Sequence, residues 1–172
     1  MLRIDKTAPS VSFSGNAATY TIDQKITITC SASDALSGLA SSSCPSITDR
    51  PAYEFPLGTN ALTANAIDNA GNDTTTTTTF TVNVTSGTLC LLTKQFVQSS
   101  AKYVALPPAK RSLADLLANA VCARVASVAP TLSPAHKAAA LAAYLKDVEA
   151  FVRMGWLTPS QGTILTTLAR AL

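Results

Sequence analysis

The chain has 172 residues, and 47% of them are hydrophobic, so it is long enough for one ordinary domain or for two small domains with packed cores. Only 13% are charged and the formal net charge is +3, which argues against a nucleic-acid-binding surface. No apolar run approaches the roughly 20 residues that span a bilayer, and no secretory signal opens the sequence. One histidine and two glutamates leave few groups for catalysis, so we expect no enzyme and no catalytic residues.

The two halves of the chain differ in composition. Residues 1–85 carry four basic and seven acidic side chains, a net charge of −3, whereas residues 86–172 carry nine basic and three acidic, a net charge of +6. The first half is rich in Thr, Ser, Asn and Asp, and the second is rich in Ala and Leu. This shift predicts two domains, residues 1–85 and 89–172, joined by a linker at residues 86–88.

The first half shows the alternation of apolar and polar residues that is typical of half-buried strands. It is clear in Val11–Phe13, Ile22–Cys30 and Leu62–Asp68. Six consecutive threonines lead into an alternating segment that ends at Val84, which predicts a long edge strand rather than a mucin-like stalk. About seven short strands with Gly- and Asn-containing turns predict an all-β, immunoglobulin-like sandwich.

The second half has helical periodicity. One face of a helix gathers Leu113, Leu116, Leu117, Ala120, Val121, Val125 and Val128. Ser133-Pro134 and Thr158-Pro159 mark helix starts, and Gly155 marks a helix end. The sequence therefore predicts a small all-α bundle of four helices, over residues 89–105, 109–128, 134–154 and 159–171.

Four cysteines are divided equally between the halves. They allow three pairings, and we favour Cys30 with Cys44 and Cys90 with Cys122, because each pair closes a short loop within one half. Buried free thiols are the alternative. Oxidised pairs would place the protein outside the cytosol, either extracellular or at the cell surface. The sequence would then be a piece of a longer protein whose signal peptide lies upstream.

Three aspartates lie in turn-like phrases of the first half: Asp5, Asp34 and Asp68, the last followed by Asn72. In a seven-stranded sandwich these turns meet at one pole, so the carboxylates should converge. Oxygen ligands without histidine or thiolate suit a structural calcium ion. The alternative is that each aspartate only caps its own turn by accepting backbone N–H bonds.

These phrases carry a family resemblance. D-x-T-x-P at Asp5, D-x-x-S-G at Asp34 and D-N-A-G-N at Asp68 resemble the bacterial immunoglobulin-like (Big) repeats of multidomain secreted and surface proteins. The segment from Ala138 to Leu172, with Phe151 followed by Gly155-Trp156-Leu157-Thr158, resembles the small helical domain called FIMAH. The two resemblances imply an accessory role and supply no catalytic residue.

Other polar and aromatic residues have simpler interpretations. We expect His136 to be a solvated residue of a first helical turn, because no serine or cysteine nucleophile motif accompanies it. Asp147 and Glu149 are two apart on a helix and point to different sides. Trp156 with Tyr144 could form a sugar-stacking platform, but a plug at the end of the bundle is favoured.

These observations predict a non-catalytic accessory region of a larger bacterial secreted or cell-surface protein, acting as a spacer and attachment module. The alternative is a carbohydrate- or envelope-binding module appended to a secreted hydrolase. Expected partners are a polysaccharide, a cell-envelope polymer or other domains of the parent chain, and neither nucleic acid nor a membrane span is expected. We expect a monomer, with calcium as the one candidate cofactor.

Overall fold

A computed structural model describes residues 4–126, 128 and 133–172. In these residues the strands are β1 (Ser10–Ser14), β2 (Thr19–Thr21), β3 (Lys25–Ser33), β4 (Leu39–Ser43), β5 (Ile47–Pro51), β6 (Gly58–Asp68) and β7 (Asp73–Asn83). The helices are α1 (Ser86–Ser99), α2 (Ala101–Val104), α3 (Pro108–Ala126), α4 (Pro134–Arg153) and α5 (Pro159–Ala169), with a 3₁₀ turn at Ala52–Glu54. Parts of the predicted ranges 1–85, 89–172 and 109–128 lie outside the described residues, namely residues 1–3, 127 and 129–132.

The strands form two sheets. One has the order β1-β3-β5 and the other the order β2-β7-β6-β4. β6 and β7 are the longest pair, antiparallel from Gly58 opposite Val82 to Ile67 opposite Asp73. Each long strand buries alternate residues, because successive side chains point to opposite faces. The most buried of these are Ile26, Ile28, Ala64, Ala66, Phe80 and Val82.

A tight turn separates the first two strands, which belong to different sheets. Gly15 has a φ of 81°, and a Cβ there would lie 2.9 Å from the backbone oxygen of Thr27. Glycine tolerates both the positive φ and the close approach. β1 therefore pairs with β3, while the chain after Gly15 turns away and β2 joins β7. The threonine strand β7 is consequently internal to its sheet, so the prediction of an edge strand is wrong.

The fold class predicted from the sequence is also wrong. An immunoglobulin-like sandwich followed by four helices does not describe this chain. It has strands in two sheets followed by five described helices, and 43% of the described residues are helical against 30% in strands. In the helical part, the predicted helix 89–105 is broken because Ser100 caps a new short helix. Its backbone is extended, and its hydroxyl accepts the N–H of Tyr103 (3.1 Å).

The four longer helices each bury part of their surface, and a polar pair joins two of them inside the core. The hydroxyls of Thr93 in α1 and Tyr144 in α4 lie 2.8 Å apart, and both side chains are fully buried. Burial raises the pKa of Tyr144, and its hydrogen bond with Thr93 opposes this shift only in part. Tyr144 is therefore a core residue, which excludes it from an exposed sugar-stacking platform.

The buried face of α3 differs from the apolar face that its sequence shows. Leu113 and Leu116 are each 63% exposed and Leu117 is 43% exposed. The side chains of α3 that pack inward are instead mostly small: Ala114, Ala118, Val121, Cys122 and Val125.

By residue contacts the described chain divides into two compact units. The first holds residues up to 20 with 24–83, here called the β unit, and the second holds residues 21–23 with 84–172, here called the helical unit. The segment predicted as a linker, residues 86–88, is the first turn of α1. Thr85 caps it, because its hydroxyl accepts the N–H of Thr88 (3.1 Å) while Thr88 Oγ1 accepts the N–H of Thr85 (2.9 Å).

Both predicted disulfides are confirmed. Cys30 pairs with Cys44 in the β unit, and Cys90 pairs with Cys122 in the helical unit. The second bridge joins α1 to α3 with the two Cα atoms 4.8 Å apart. The alternative of free buried thiols is therefore wrong for all four cysteines.

Candidate acidic site in the beta unit

Three aspartates from separate turns meet at one place in the β unit. Asp5 precedes β1, Asp34 directly follows β3, and Asp68 is the last residue of β6. One carboxylate oxygen from each lies within 4.8 Å of the other two. We call this group, together with Asn72, the acidic cluster.

Asp34 organises its own turn. Its Oδ1 accepts the backbone N–H groups of Leu36 (3.2 Å), Ser37 (2.8 Å) and Gly38 (2.8 Å). The hydroxyl of Ser37 is a further donor at 3.3 Å. A carboxylate that accepts N–H bonds from the residues that follow it stabilises a turn without any ion.

Asp68 does the same for the turn between β6 and β7. Its Oδ1 accepts the N–H of Ala70 (2.9 Å) and of Asn72 (2.7 Å), and its Oδ2 accepts from the Asn72 side-chain amide (2.7 Å). Asp68 is only 1% exposed, so these bonds replace the water that its carboxylate loses on folding.

Asp5 connects the turns. Its Oδ1 accepts the N–H of Thr7 (2.9 Å), and its Oδ2 accepts the N–H of Ser37 (3.1 Å) in the Asp34 turn. The Asn72 amide also lies 3.4 Å from the backbone oxygens of Asp5 and Thr7. The Asn72 NH₂ thus faces the Asp68 carboxylate and two backbone oxygens, all of them possible ligands of a cation.

The hydrogen bonds outweigh the mutual repulsion of these carboxylates. The bond from Thr7, followed by those from Ser37, lowers the pKa of Asp5 against the opposing effects of burial and of the Asp68 charge. For Asp68 burial is the largest single influence and raises the pKa. The bonds from Asn72, Ala70 and Ser37 together exceed it, so the pKa lies below its ordinary value.

The donor set of the acidic cluster fits calcium only in part. Carboxylate oxygens suit that ion, but Asn72 presents its NH₂ to Asp68 rather than its carbonyl oxygen. Both oxygens of Asp5 and of Asp68 already accept hydrogen bonds. This arrangement has the geometry of turn capping, and calcium at Asp5, Asp34, Asp68 and Asn72 stays a prediction.

Sequence reasoning missed the residue that joins two of these turns. Ser37 donates its N–H to both Asp34 and Asp5, and its backbone oxygen accepts from the Asn69 side chain (2.8 Å). The available signal was the serine of the D-x-x-S-G phrase. That serine serves the neighbouring turns as well as its own.

The remaining candidates have structural partners. His136 is exposed in the first turn of α4, and its Nδ1 lies 2.7 Å from the hydroxyl of Ser133, the residue that caps this helix. Asp147 forms an ion pair with Arg124. Trp156 is only 9% exposed, with the Lys102 Nζ 4.7 Å from its ring centre, as expected for a plug rather than a platform.

The chain was also compared with known proteins. No family model, no curated protein and no solved structure matches it. The resemblances to Big repeats and to FIMAH therefore stay predictions that depend on the phrases around Asp5, Asp34, Asp68 and Phe151. Within the described residues, no helix is both long enough and apolar enough to cross a membrane.

Proposed function

We propose that this chain is a non-catalytic accessory region of a larger bacterial secreted or cell-surface protein, where it acts as a spacer and attachment module. One observation carries this proposal: several of the polar side chains that could perform chemistry have structural partners in the described part of the chain. Asp34 and Asp68 cap turns, His136 contacts the cap of α4, and Asp147 pairs with Arg124.

The disulfides support the extracellular part of the proposal. Each unit has one, and two disulfides in a chain of this size are compatible with a protein that works in an oxidising compartment. The likeness of the three aspartate phrases to repeats of secreted bacterial proteins points the same way.

A polysaccharide-binding role is the second candidate, and an exposed polar strand pair favours it. On β6 and β7, Thr63 and Thr77 form a hydroxyl pair (3.0 Å), and the Asn65 amide donates to Thr75 Oγ1 (3.0 Å). Thr63, Thr75 and Thr77 are exposed. Hydroxyl and amide groups in such an array retain hydrogen-bonding capacity that sugar hydroxyls could use.

A pull-down separates the two candidates. The full chain is mixed with purified insoluble polysaccharides and, separately, with bacterial cell-envelope material, and the bound fraction is measured. Attachment predicts retention on envelope material and none on the purified polysaccharides. Retention on one polysaccharide that Thr63→Val with Thr77→Val removes would favour the second candidate, with Thr29→Val as the control from another strand.

An activity assay tests the non-catalytic claim. The chain is incubated with polysaccharide and peptide substrates, and product is measured by mass spectrometry. Turnover that Asp34→Asn or His136→Gln abolishes would overturn the proposal, because it would show that a residue assigned here to a turn or helix end performs chemistry.

A further inference from the structure

The outward face of α3 carries three exposed leucines. Leu113, Leu116 and Leu117 recur on successive turns and are 63%, 63% and 43% exposed. Residues three and four apart are neighbours on a helix, so the three leucines form one continuous strip. We call this strip the α3 leucine face.

The core does not require these leucines. α3 already packs inward through its opposite side, which includes Ala118 and Val125. The disulfide from Cys122 to Cys90 of α1 holds the buried side of α3 close to α1. The leucines lie away from that side, on the exposed part of the helix.

One exposed basic residue, Lys110, lies beside the face. Lys110 and Arg124 lie at helical positions one and two turns from the leucines on the same side, Lys110 exposed and Arg124 paired with Asp147. The one acidic residue of α3, Asp115, faces other helices and accepts from Gln98 Nε2 (3.0 Å) and the Tyr103 hydroxyl (3.1 Å). Residues 86–172 carry a net charge of +6.

This combination argues for one kind of occupant. A 19-residue helix presents a face of roughly 300 Å², whereas a stable protein dimer needs about 800 Å² from each partner. A lipid surface needs no matched shape. Helices that bind a lipid surface have an apolar strip on one side and basic side chains beside it. Anionic headgroups attract the positive charge.

We propose that the α3 leucine face binds the surface of an anionic lipid bilayer. The helix lies parallel to that surface, with the leucine side chains among the upper acyl chains and Lys110 at the headgroups. This inference rests on the proposed attachment role and names the surface to which the module attaches.

Vesicle co-sedimentation tests the proposal. The intact, oxidised chain is mixed with vesicles of phosphatidylcholine alone or of phosphatidylcholine with phosphatidylglycerol, and the bound fraction gives an apparent Kd. We expect binding only to the phosphatidylglycerol vesicles, weakening as salt is raised. Leu113→Gln with Leu116→Gln should weaken it about tenfold or more, and Lys110→Gln about fivefold.

A matched control is available in the same unit. Leu91 of α1 is 48% exposed but lies on another helix, so Leu91→Gln should leave the Kd unchanged. Melting temperatures of all variants show whether the fold is kept. Equal binding by the double variant and the parent chain would overturn the proposal.

Other outcomes separate this inference from the proposed function. Retention on envelope material without any vesicle binding would overturn the lipid proposal and leave the attachment role intact. A dimer in sedimentation velocity that the double variant abolishes, again without vesicle binding, would assign the face to a second copy. Catalytic turnover would overturn the proposed function while leaving the vesicle result in place.

Discussion

At the scale of single residues, Asp68 has the clearest energetic role. Its carboxylate is buried and accepts hydrogen bonds from Ala70, Asn72 and Ser37, and its pKa is lowered from an ordinary value of 3.8. A lowered folded pKa means that the ionised form stabilises the fold. This stabilisation is complete above the unfolded pKa and is lost as the pH falls through it toward the folded pKa.

We therefore expect the β unit to lose stability as the pH falls below about 4. Asp68→Asn should lower the melting temperature at neutral pH by several degrees, because its new NH₂ would oppose the Asn72 amide. The substitution should also make the melting temperature less dependent on pH in the acidic range. Calorimetry between neutral and acidic pH measures both effects, with the exposed Asp73→Asn as control. An unchanged acid profile in Asp68→Asn would show that other groups dominate.

Calcium gives a second prediction for the acidic cluster. Because hydrogen bonds already compensate the carboxylates, we expect the same melting temperature in calcium, in magnesium and in chelator. Calcium coordination that includes Asn72 would require its amide to rotate and break its 2.7 Å bond to Asp68. A rise specific to calcium that Asp34→Asn abolishes would contradict this expectation and establish the calcium site predicted from the sequence.

Part of this cluster could be predicted from sequence and part could not. The turn phrases of Asp34 and Asp68 indicate carboxylates that cap their own turns, because that chemistry is local. The bonds of Ser37 and Asn72 to Asp5 connect residues that are 32 and 67 positions apart in the chain. Such bonds depend on how the strands are assembled, which the local pattern does not encode.

At the scale of secondary structure, Gly162 controls how closely α5 approaches α4. A Cβ at this position would lie 2.6 Å from Val152 Cγ2. Val152 is β-branched and cannot move aside easily. Gly162→Ala should therefore cost about 1–3 kcal/mol of unfolding free energy, and Val152→Ala should restore part of that loss in the double variant.

Urea unfolding followed by Trp156 fluorescence measures this cost. Gly87→Ala is the matched control, because its Cβ would meet nothing closer than Thr85 Oγ1 at 3.8 Å. It should be neutral or stabilising, since alanine is the better helix former. Equal losses in the single and double variants would show that the Val152 contact is not the cause.

The periodicity of α3 illustrates the limit of prediction at this scale. It predicts a helix, which the structure has at Pro108–Ala126, but it places Leu113 and Leu116 on the same face as the buried Val121. The Cys90–Cys122 bridge holds α1 and α3 close, so alanines such as Ala114 and Ala118 occupy the contact. The leucines lie outside this contact.

At the scale of the whole molecule, the change in composition near residue 85 matches a change from strands to helices in the structure. The predicted fold class was nevertheless wrong. Ser14-Gly15-Asn16 signals a turn but not that β1 and β2 join different sheets, and the helix break at Ser100 has no strong local signature. Alternation and helical spacing indicate which elements form. The pairing of strands into sheets depends on long-range contacts that one sequence does not show.

The disulfides give the last prediction. The two bridges span separations of 14 and 32 residues, so chain-entropy arguments give about 3 kcal/mol for Cys30–Cys44 and about 4 kcal/mol for Cys90–Cys122. We expect Cys90→Ser with Cys122→Ser to lower the urea midpoint reported by Trp156, the one tryptophan of the chain and part of the helical unit. The parent chain in reductant should show the same lowering.

Calorimetry of Cys30→Ser with Cys44→Ser measures the smaller loss in the β unit. Losses of this size are a large fraction of the stability of a small domain, which is typically about 5–15 kcal/mol. A protein that depends on both bridges would be poorly stable in a reducing cytosol, which agrees with the proposed extracellular location. If reductant leaves the stability of both units unchanged, the bridges contribute little to folding and the argument for an oxidising compartment fails.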